Sequence, residues 1–174
     1  KRIVAIARKA GIRILGPNIF GIFSAQSSMN ATFSSGNIRP GNVAIITQSG
    51  ALGIAMIGKT AAENIGLSAI VSMGNKSDID EADILDYLVA QDETKVIMMY
   101  IEGIRNARIF MSAMRAAARI KPVILIKVGR HAAGSKAAMS HTASLVGADD
   151  VFDAAVSRVG VVRVQSVTQL FSAA

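Results

Sequence analysis

The chain has 174 residues, enough for one α/β domain or for one domain plus part of another. Its 51% hydrophobic and 18% charged residues support a sizeable core and exclude a disordered chain. The net charge of +7 suits an anionic partner such as a nucleotide or coenzyme, but Lys and Arg never form a block of five, and aromatics are only 5%, so no nucleic-acid surface is expected.

Cysteine is absent, which removes disulfide and thiolate chemistry. No apolar run approaches the ~20 residues of a membrane span, and no signal peptide is visible. A cytoplasmic protein without membrane contact is expected. The chain opens at Lys1 in mid-helix pattern, which reads as part of a longer polypeptide.

Residues 1–15, "KRIVAIARKAGIRIL", predict a basic amphipathic helix closed by Gly11 and followed by a short strand. "GPN" (16–18) punctuates the chain, and 19–42, with glycines, serines, asparagines and Pro40, read as a connector. Residues 1–18 thus read as the last helix–strand unit of a preceding domain. From Val43 a regular alternation begins. "VAIIT" (43–47), "LSAIVS" (67–72), "KVIMMYI" (95–101), "PVILIKV" (122–128) and 161–164 predict strands. Between and after them, 51–64, 78–90, 105–119, 149–158 and 166–173 predict helices. In 51–64 the expected buried stripe is Ile54, Ile57, Ala61 and Ile65. In 105–119 it is Ile104, Ala107, Met111, Met114 and Ala118.

Strands separated by helices imply βαβ units and a parallel sheet, and apolar runs without alternation imply that both its faces are covered. Five such strands predict an α/β fold with a flavodoxin-like doubly wound sheet. In such sheets ligands bind beyond the carboxyl ends of the strands. Four features share that edge: "QSGALG" after the first strand, "MGNKSD" after the second, Glu102 at the end of the third, and "GRHAAGSKAAMSHTASL" after the fourth.

Each feature has a chemical reading and a plainer one. Gln48, Ser49 and Gly50 open a helix whose unpaired N–H groups suit a phosphate, though Ser49 also suits an ordinary N-cap. Glu102 can accept from an imidazole N–H and fix its tautomer, or it can be a solvated edge residue. His141 sits between Ser140 and Thr142 among small residues, and its neutral imidazole can attack a phosphoryl group. His131 reads as a surface residue. "GIAMIGKT" (53–60) matches a phosphate-loop pattern literally. However, Gly53 lies well past the strand, and Ile54, Ala55, Met56 and Ile57 suit a helix better than a loop round phosphates. A P-loop nucleotide-binding protein is therefore the weaker alternative.

The ordered stretches "GPN", "ITQSGALG", "SMGNKSDID", "YIEGIRNARIF", "KPVILIKVGR" and "GSKAAMSHTASLVGADDVFDAA" resemble the α-portion of NDP-forming acyl-CoA synthetases. These are also called ADP-forming acetate–CoA ligases and belong to the succinyl-CoA synthetase-like superfamily. The resemblance implies interconversion of acyl-CoA, ADP and phosphate with carboxylic acid, CoA and ATP, through an acyl phosphate and a phosphohistidine. It implies that His141 carries the phosphoryl group, that Glu102 holds its imidazole, and that Ser49 and Gly50, with Gln48, Ser140 and Thr142, surround the phosphate. Gly16, Pro17 and Asn18, with Gly74 and Asn75, are implied to touch CoA or substrate. Residues 1–42 would be the end of a Rossmann-like CoA-binding domain plus connector, and 43–174 the flavodoxin-like domain. An ATP-grasp domain or subunit outside 1–174 would hold ATP or ADP and Mg²⁺; no metal site is expected within the chain, and an oligomer is expected. Ala143 stands where the family commonly has glycine, and Ile19 and Phe20 stand where several relatives have a cysteine or small residue. A non-catalytic, acyl-CoA-sensing ligase-like region of a protein lysine acetyltransferase is a further alternative, against which the retained His141 speaks.

Overall fold

The apolar runs read as strands form the middle of one sheet. The computed structural model describes residues 2–34, 38–128 and 149–174. Helix α1 (Arg2–Lys9) is followed by β1 (Gly21–Ser24), β2 (Met29–Thr32), β3 (Pro40–Thr47), α2 (Gly50–Ala62), β4 (Leu67–Ser72), α3 (Glu81–Val89), β5 (Val96–Ile101) and α4 (Ala107–Ala118). Then come β6 (Val123–Lys127), α5 (Asp149–Arg158), β7 (Val162–Val164) and α6 (Val167–Ser172).

The sheet has seven strands in the order β2-β1-β4-β3-β5-β6-β7. From β4 to β7 every pairing is parallel, giving the doubly wound order of a flavodoxin-like fold. Alternate residues of each strand feed two cores. Ala44, Ile46, Met99 and Leu125 face α3, α4 and α5, represented by Leu85, Leu88, Met114 and Val156. Val43, Ile45, Met98 and Ile124 face α2 and α6, represented by Met56, Ile57, Leu170 and Phe171. Helices on both faces explain why the strands lack polar alternation.

Several expectations need correction. The 19–42 connector contains β1 and β2, an antiparallel pair that extends the sheet beyond β4. Each has only four residues, and its pairing partners, not its own pattern, make it a strand. Residues 12–15 form no strand. Gly11 closes α1 as expected, with the Ile12 N–H reaching back to the Ala7 carbonyl at 2.9 Å. Beyond it the Ile14 N–H donates to Asp78 at 2.9 Å and the Ile14 carbonyl accepts from Ile79 at 3.1 Å. The backbone polar groups of this stretch are met by a loop, not by a ladder.

The buried stripe of α2 is Gly53, Met56, Ile57 and Thr60, while Ile54 is 44% exposed. The close approach of Phe20 to Gly53 rotates the helix this way. The buried stripe of α4 is Phe110, Ala113, Met114 and Ala117, which leaves Ala107 exposed. Among the described residues, no helix is long and apolar enough to cross a membrane.

Candidate functional site

The carboxyl ends of β3, β4 and β5 bring Gln48, Ser49, Gly50, Gly74, Asn75 and Glu102 to one edge. Ser49 is the N-cap of α2; its Oγ accepts from the Leu52 N–H at 3.3 Å, and its carbonyl accepts from Gly53 at 3.0 Å. This leaves the N–H groups of Gly50 and Ala51 without an intrahelical partner at the positive end of the helix. A Cβ built on Gly50 meets nothing within 4 Å, so the approach to these donors is open. Ser49 therefore fills the N-cap role that the sequence left open, and the helix start beside it stays exposed to an approaching group.

Glu102 follows β5 on the α2 side of the sheet, continuing the face of Met98 and Tyr100. Thr47 pairs with Tyr100, so Ser49 and Glu102 each stand two residues beyond paired positions on neighbouring strands. No described residue donates to the Glu102 carboxylate. Burial pushes the Tyr100 phenol upward, and the Glu102 charge pushes it further the same way. On the next strand the Val128 N–H donates to the Ile101 carbonyl at 3.0 Å, so the end of β6 lies beside the end of β5 that leads to Glu102. His141, Ser140 and Thr142, together with Ala143 and His131, lie outside the described residues.

Gln48 is turned inward. It is 8% exposed, and its carboxamide is fully engaged with protein groups. Its oxygen accepts from the Glu102 and Gly103 N–H groups at 2.8 and 3.0 Å, and its nitrogen donates to Glu81 and, at 2.9 Å, to the Gly103 carbonyl. Lys76, which sequence reasoning passed over, donates from Nζ to Glu81 and to the Gly103 carbonyl, both at 2.6 Å. Glu81 lies in the first turn of α3. It is 2% exposed and ion-paired to Lys76. Burial marks these two residues, and local sequence carries no signal of burial for a Lys and a Glu.

The "GPN" and "MGNKSD" stretches meet directly. The Asn75 N–H donates to the Pro17 carbonyl and the Ser77 N–H to the Gly16 carbonyl, each at 2.9 Å. Gly74 has φ +52°, and a Cβ there would lie 2.2 Å from the Pro17 oxygen and 2.3 Å from the Asn18 oxygen, so the approach requires glycine. Asn18 Nδ2 donates to Asn75 Oδ1 at 3.4 Å, and both side chains are exposed. This brings Gly16, Pro17, Asn18, Gly74 and Asn75 into one patch. Phe20, by contrast, is a core residue. It is 3% exposed, its N–H donates to Ser72 Oγ at 3.2 Å, and its ring would lie 2.2 Å from a Cβ on Gly53.

The phosphate-loop match fails on geometry. Gly53 to Lys59 are all helical, Lys59 Nζ pairs with Glu63, and it lies 5.2 Å from the centroid of the Phe171 ring. Among the described residues, no group of three His, Cys, Asp or Glu side chains could hold a metal ion.

A doubly wound sheet with an open helix start at one edge, and beside it a carboxylate without a partner among the described residues, defines a flavodoxin-like domain. The family of succinyl-CoA ligase-like flavodoxin domains matches residues 40–174, and the chain belongs to it. The chain is 48% identical, over 98% of its length, to the α subunit of acetate–CoA ligase [ADP-forming] I from Pyrococcus furiosus, and spans 37% of that protein. It is 43% identical to the α subunit of isoform II from the same organism and spans 38% of it. The dinucleotide-forming acetyl-coenzyme A synthetase 1 of Ca. Korarchaeum cryptofilum, solved with phosphate and ADP, superposes on 98% of the chain with a TM-score of 0.92 and 45% identity; the chain covers 37% of it. The chain thus spans well under half of the relatives it matches.

Proposed function

We propose that this chain is the phosphoryl-carrying part of an ADP-forming acyl-CoA ligase. The reaction would convert acyl-CoA and phosphate to acyl phosphate and CoA, pass the phosphoryl group from acyl phosphate to His141 with release of the carboxylic acid, and hand it to ADP. What supports this reading is one observation: Glu102 presents a carboxylate with no described partner at the end of β5, between β3, which leads into the open N-terminus of α2, and β6, the last strand before His141 in the sequence. In this reading Glu102 accepts the N–H of the imidazole and keeps the other ring nitrogen available as nucleophile. Gly50 and Ala51 donate their N–H groups to the phosphoryl oxygens, and the α2 dipole favours that negative charge. Ser140 and Thr142 flank the carrier and supply hydroxyl groups to the same phosphate.

Coenzyme A supplies the thiol that carries and releases the acyl group. The exposed amides of Asn18 and Asn75 suit the amide groups of its pantetheine arm, since their mutual hydrogen bond leaves one acceptor and one donor available. Gly16, Pro17 and Gly74 shape that patch. Residues 1–42 act as the end of a CoA-binding domain plus connector, and 43–174 as the phosphohistidine-bearing domain. An ATP-grasp module outside these residues holds nucleotide and Mg²⁺, and the working form is a cytoplasmic oligomer.

The test uses the full-length protein. With labelled phosphate and acyl-CoA it takes up acid-labile, base-stable phosphate. His141→Asn abolishes this, and Glu102→Gln slows it by about 10² to 10³-fold with little change in melting temperature. Normal labelling of His141→Asn sinks the assignment.

A further inference from the structure

In the buried group formed by Gln48, Lys76 and Glu81, both ends of the Gln48 carboxamide and the Lys76 ammonium are bonded to the backbone of Glu102 and Gly103, while Glu81 holds Gln48 and Lys76. Strand β5 ends at Ile101, and past that point the chain has no ladder partner for the Glu102 and Gly103 N–H groups. The Gln48 carboxamide oxygen takes both, at 2.8 and 3.0 Å. The Gly103 carbonyl is held from the other side by Gln48 Nε2 at 2.9 Å and Lys76 Nζ at 2.6 Å. The orientation of the amide is decided by these partners: its oxygen meets two donors and its nitrogen meets two acceptors. Glu81 accepts from both Gln48 and Lys76 and so locks the two side chains together.

A buried Lys–Glu pair is a poor way to gain stability, because desolvation offsets most of its attraction. Here Lys76 and Glu81 are 4% and 2% exposed. Lys76 holds the Gly103 carbonyl, and Glu81 holds Gln48, whose oxygen takes the Glu102 and Gly103 N–H groups, so the pair fixes the backbone on which the Glu102 carboxylate stands. We infer that Gln48 is a positioning residue that sets the direction of the Glu102 carboxylate, with Glu81 and Lys76 fixing Gln48 in turn. This rests on the reading of Glu102 given above. The same device ties the site to the CoA-side loop, since Lys76 follows Asn75 and the Lys76 carbonyl accepts from Arg105.

The test is a double-mutant cycle in the full-length protein, assayed with acetyl-CoA, ADP and phosphate for kcat, KM and rate of phosphate incorporation. Gln48→Leu is expected to lower kcat and the labelling rate about tenfold to 10²-fold, with KM for acetyl-CoA within about twofold. Because Gln48 acts through Glu102, Gln48→Leu added to Glu102→Gln is expected to cost no more than about threefold beyond Glu102→Gln alone. The exchanged pair Gln48→Glu with Glu81→Gln keeps the total charge, the acceptor for both N–H groups and a partner for Lys76 but loses the Gln48 Nε2 bond to the Gly103 carbonyl, and is expected to recover part of the rate lost in Gln48→Glu alone. Losses that multiply in the cycle, or a Gln48→Leu protein with undiminished kcat, overturn the inference while leaving Glu102 its role. A Glu102→Gln protein with normal labelling, or a wild-type protein that takes up no phosphate, overturns the reading beneath it. If Gln48→Leu does not fold, Gln48→Glu alone takes its place in the cycle, and failure of the exchanged pair to improve on it overturns the inference.

Discussion

Arg8 and Asp78, 70 positions apart in the chain, form a two-pronged ion pair in which Arg8 Nε and Nη2 both donate to Asp78 Oδ1, at 3.0 and 2.5 Å. Arg13 Nε donates to the other carboxylate oxygen at 3.0 Å, and so does the Ile14 N–H at 2.9 Å. One carboxylate therefore fastens α1 and the following stretch to the β4–α3 loop. It lies next to the place where Pro17 and Asn18 meet Gly74 and Asn75.

That arrangement has a pH consequence. The Ile14 N–H, followed by Arg8, holds the Asp78 carboxyl well below the usual carboxylate range. Its folded-state value lies below the unfolded value near ~3.9, so its contribution is fully present above about pH 4 and is lost as the pH falls further towards the folded value. Residues 2–18 are expected to loosen in that acid window before the sheet does, with amide exchange there rising about tenfold or more while β3 and β5 stay protected. Asp78→Asn is expected to show the loosened segment already at pH 7. Equal protection of 2–18 in both proteins at pH 7 contradicts the anchoring role.

Gly74→Ala puts a methyl group against two backbone oxygens, at 2.2 and 2.3 Å, at a residue of φ +52°. Neither oxygen belongs to a side chain that can swing away. A loss of about 2 kcal/mol or more is expected in urea unfolding. Limited proteolysis should also cut faster around Pro17. A variant as stable as wild type shows that the 16–18 and 74–77 stretches do not hold each other.

Gly53→Ala tests why α2 faces the way it does. The new methyl would lie 2.2 Å from Phe20 Cε1 and 2.9 Å from Thr47 Cγ2, within a filled core. Alanine gains up to about 1 kcal/mol of helix propensity, but overpacking costs roughly 1–3 kcal/mol, so a net loss in denaturant titration is expected. Adding Phe20→Leu should recover part of it. Lys59→Ala, which removes an i,i+4 surface pair and a cation–π contact with Phe171, is expected to shift stability by no more than about 1 kcal/mol and to leave nucleotide binding unchanged. Loss of nucleotide binding in Lys59→Ala would revive the phosphate-loop reading.

The parallel strands were legible because each is a run of apolar residues long enough to cross a buried sheet, and the helices between them fit the βαβ spacing. Ser49, Gly50 and Glu102 were legible as well, since a strand end followed by Ser-Gly or by a lone carboxylate is a local pattern. The hairpin of β1 and β2 was not legible. "GIFS" and "MNAT" are too short to declare themselves, and β4, on which β1 pairs, lies more than 40 positions further along the chain. The stretch "IRIL" looked like a strand because of its alternation, but its backbone groups are satisfied by Asp78 and Ile79.

From Val43 onward, sequence by itself determined the order of strands and helices, and hence which edge of the sheet collects Ser49, Gly74 and Glu102, because hydrophobic periodicity and chain connectivity are local properties. Only the tertiary structure decided what Gln48 does. It looked like one more phosphate contact beside Ser49, and it proves to be directed at residues 54 and 55 positions away. A hydrogen-bond partner is chosen by what folding brings within 3 Å of a buried amide, and that proximity comes from the packing of β3 against β5 and α3, which no short stretch of sequence encodes.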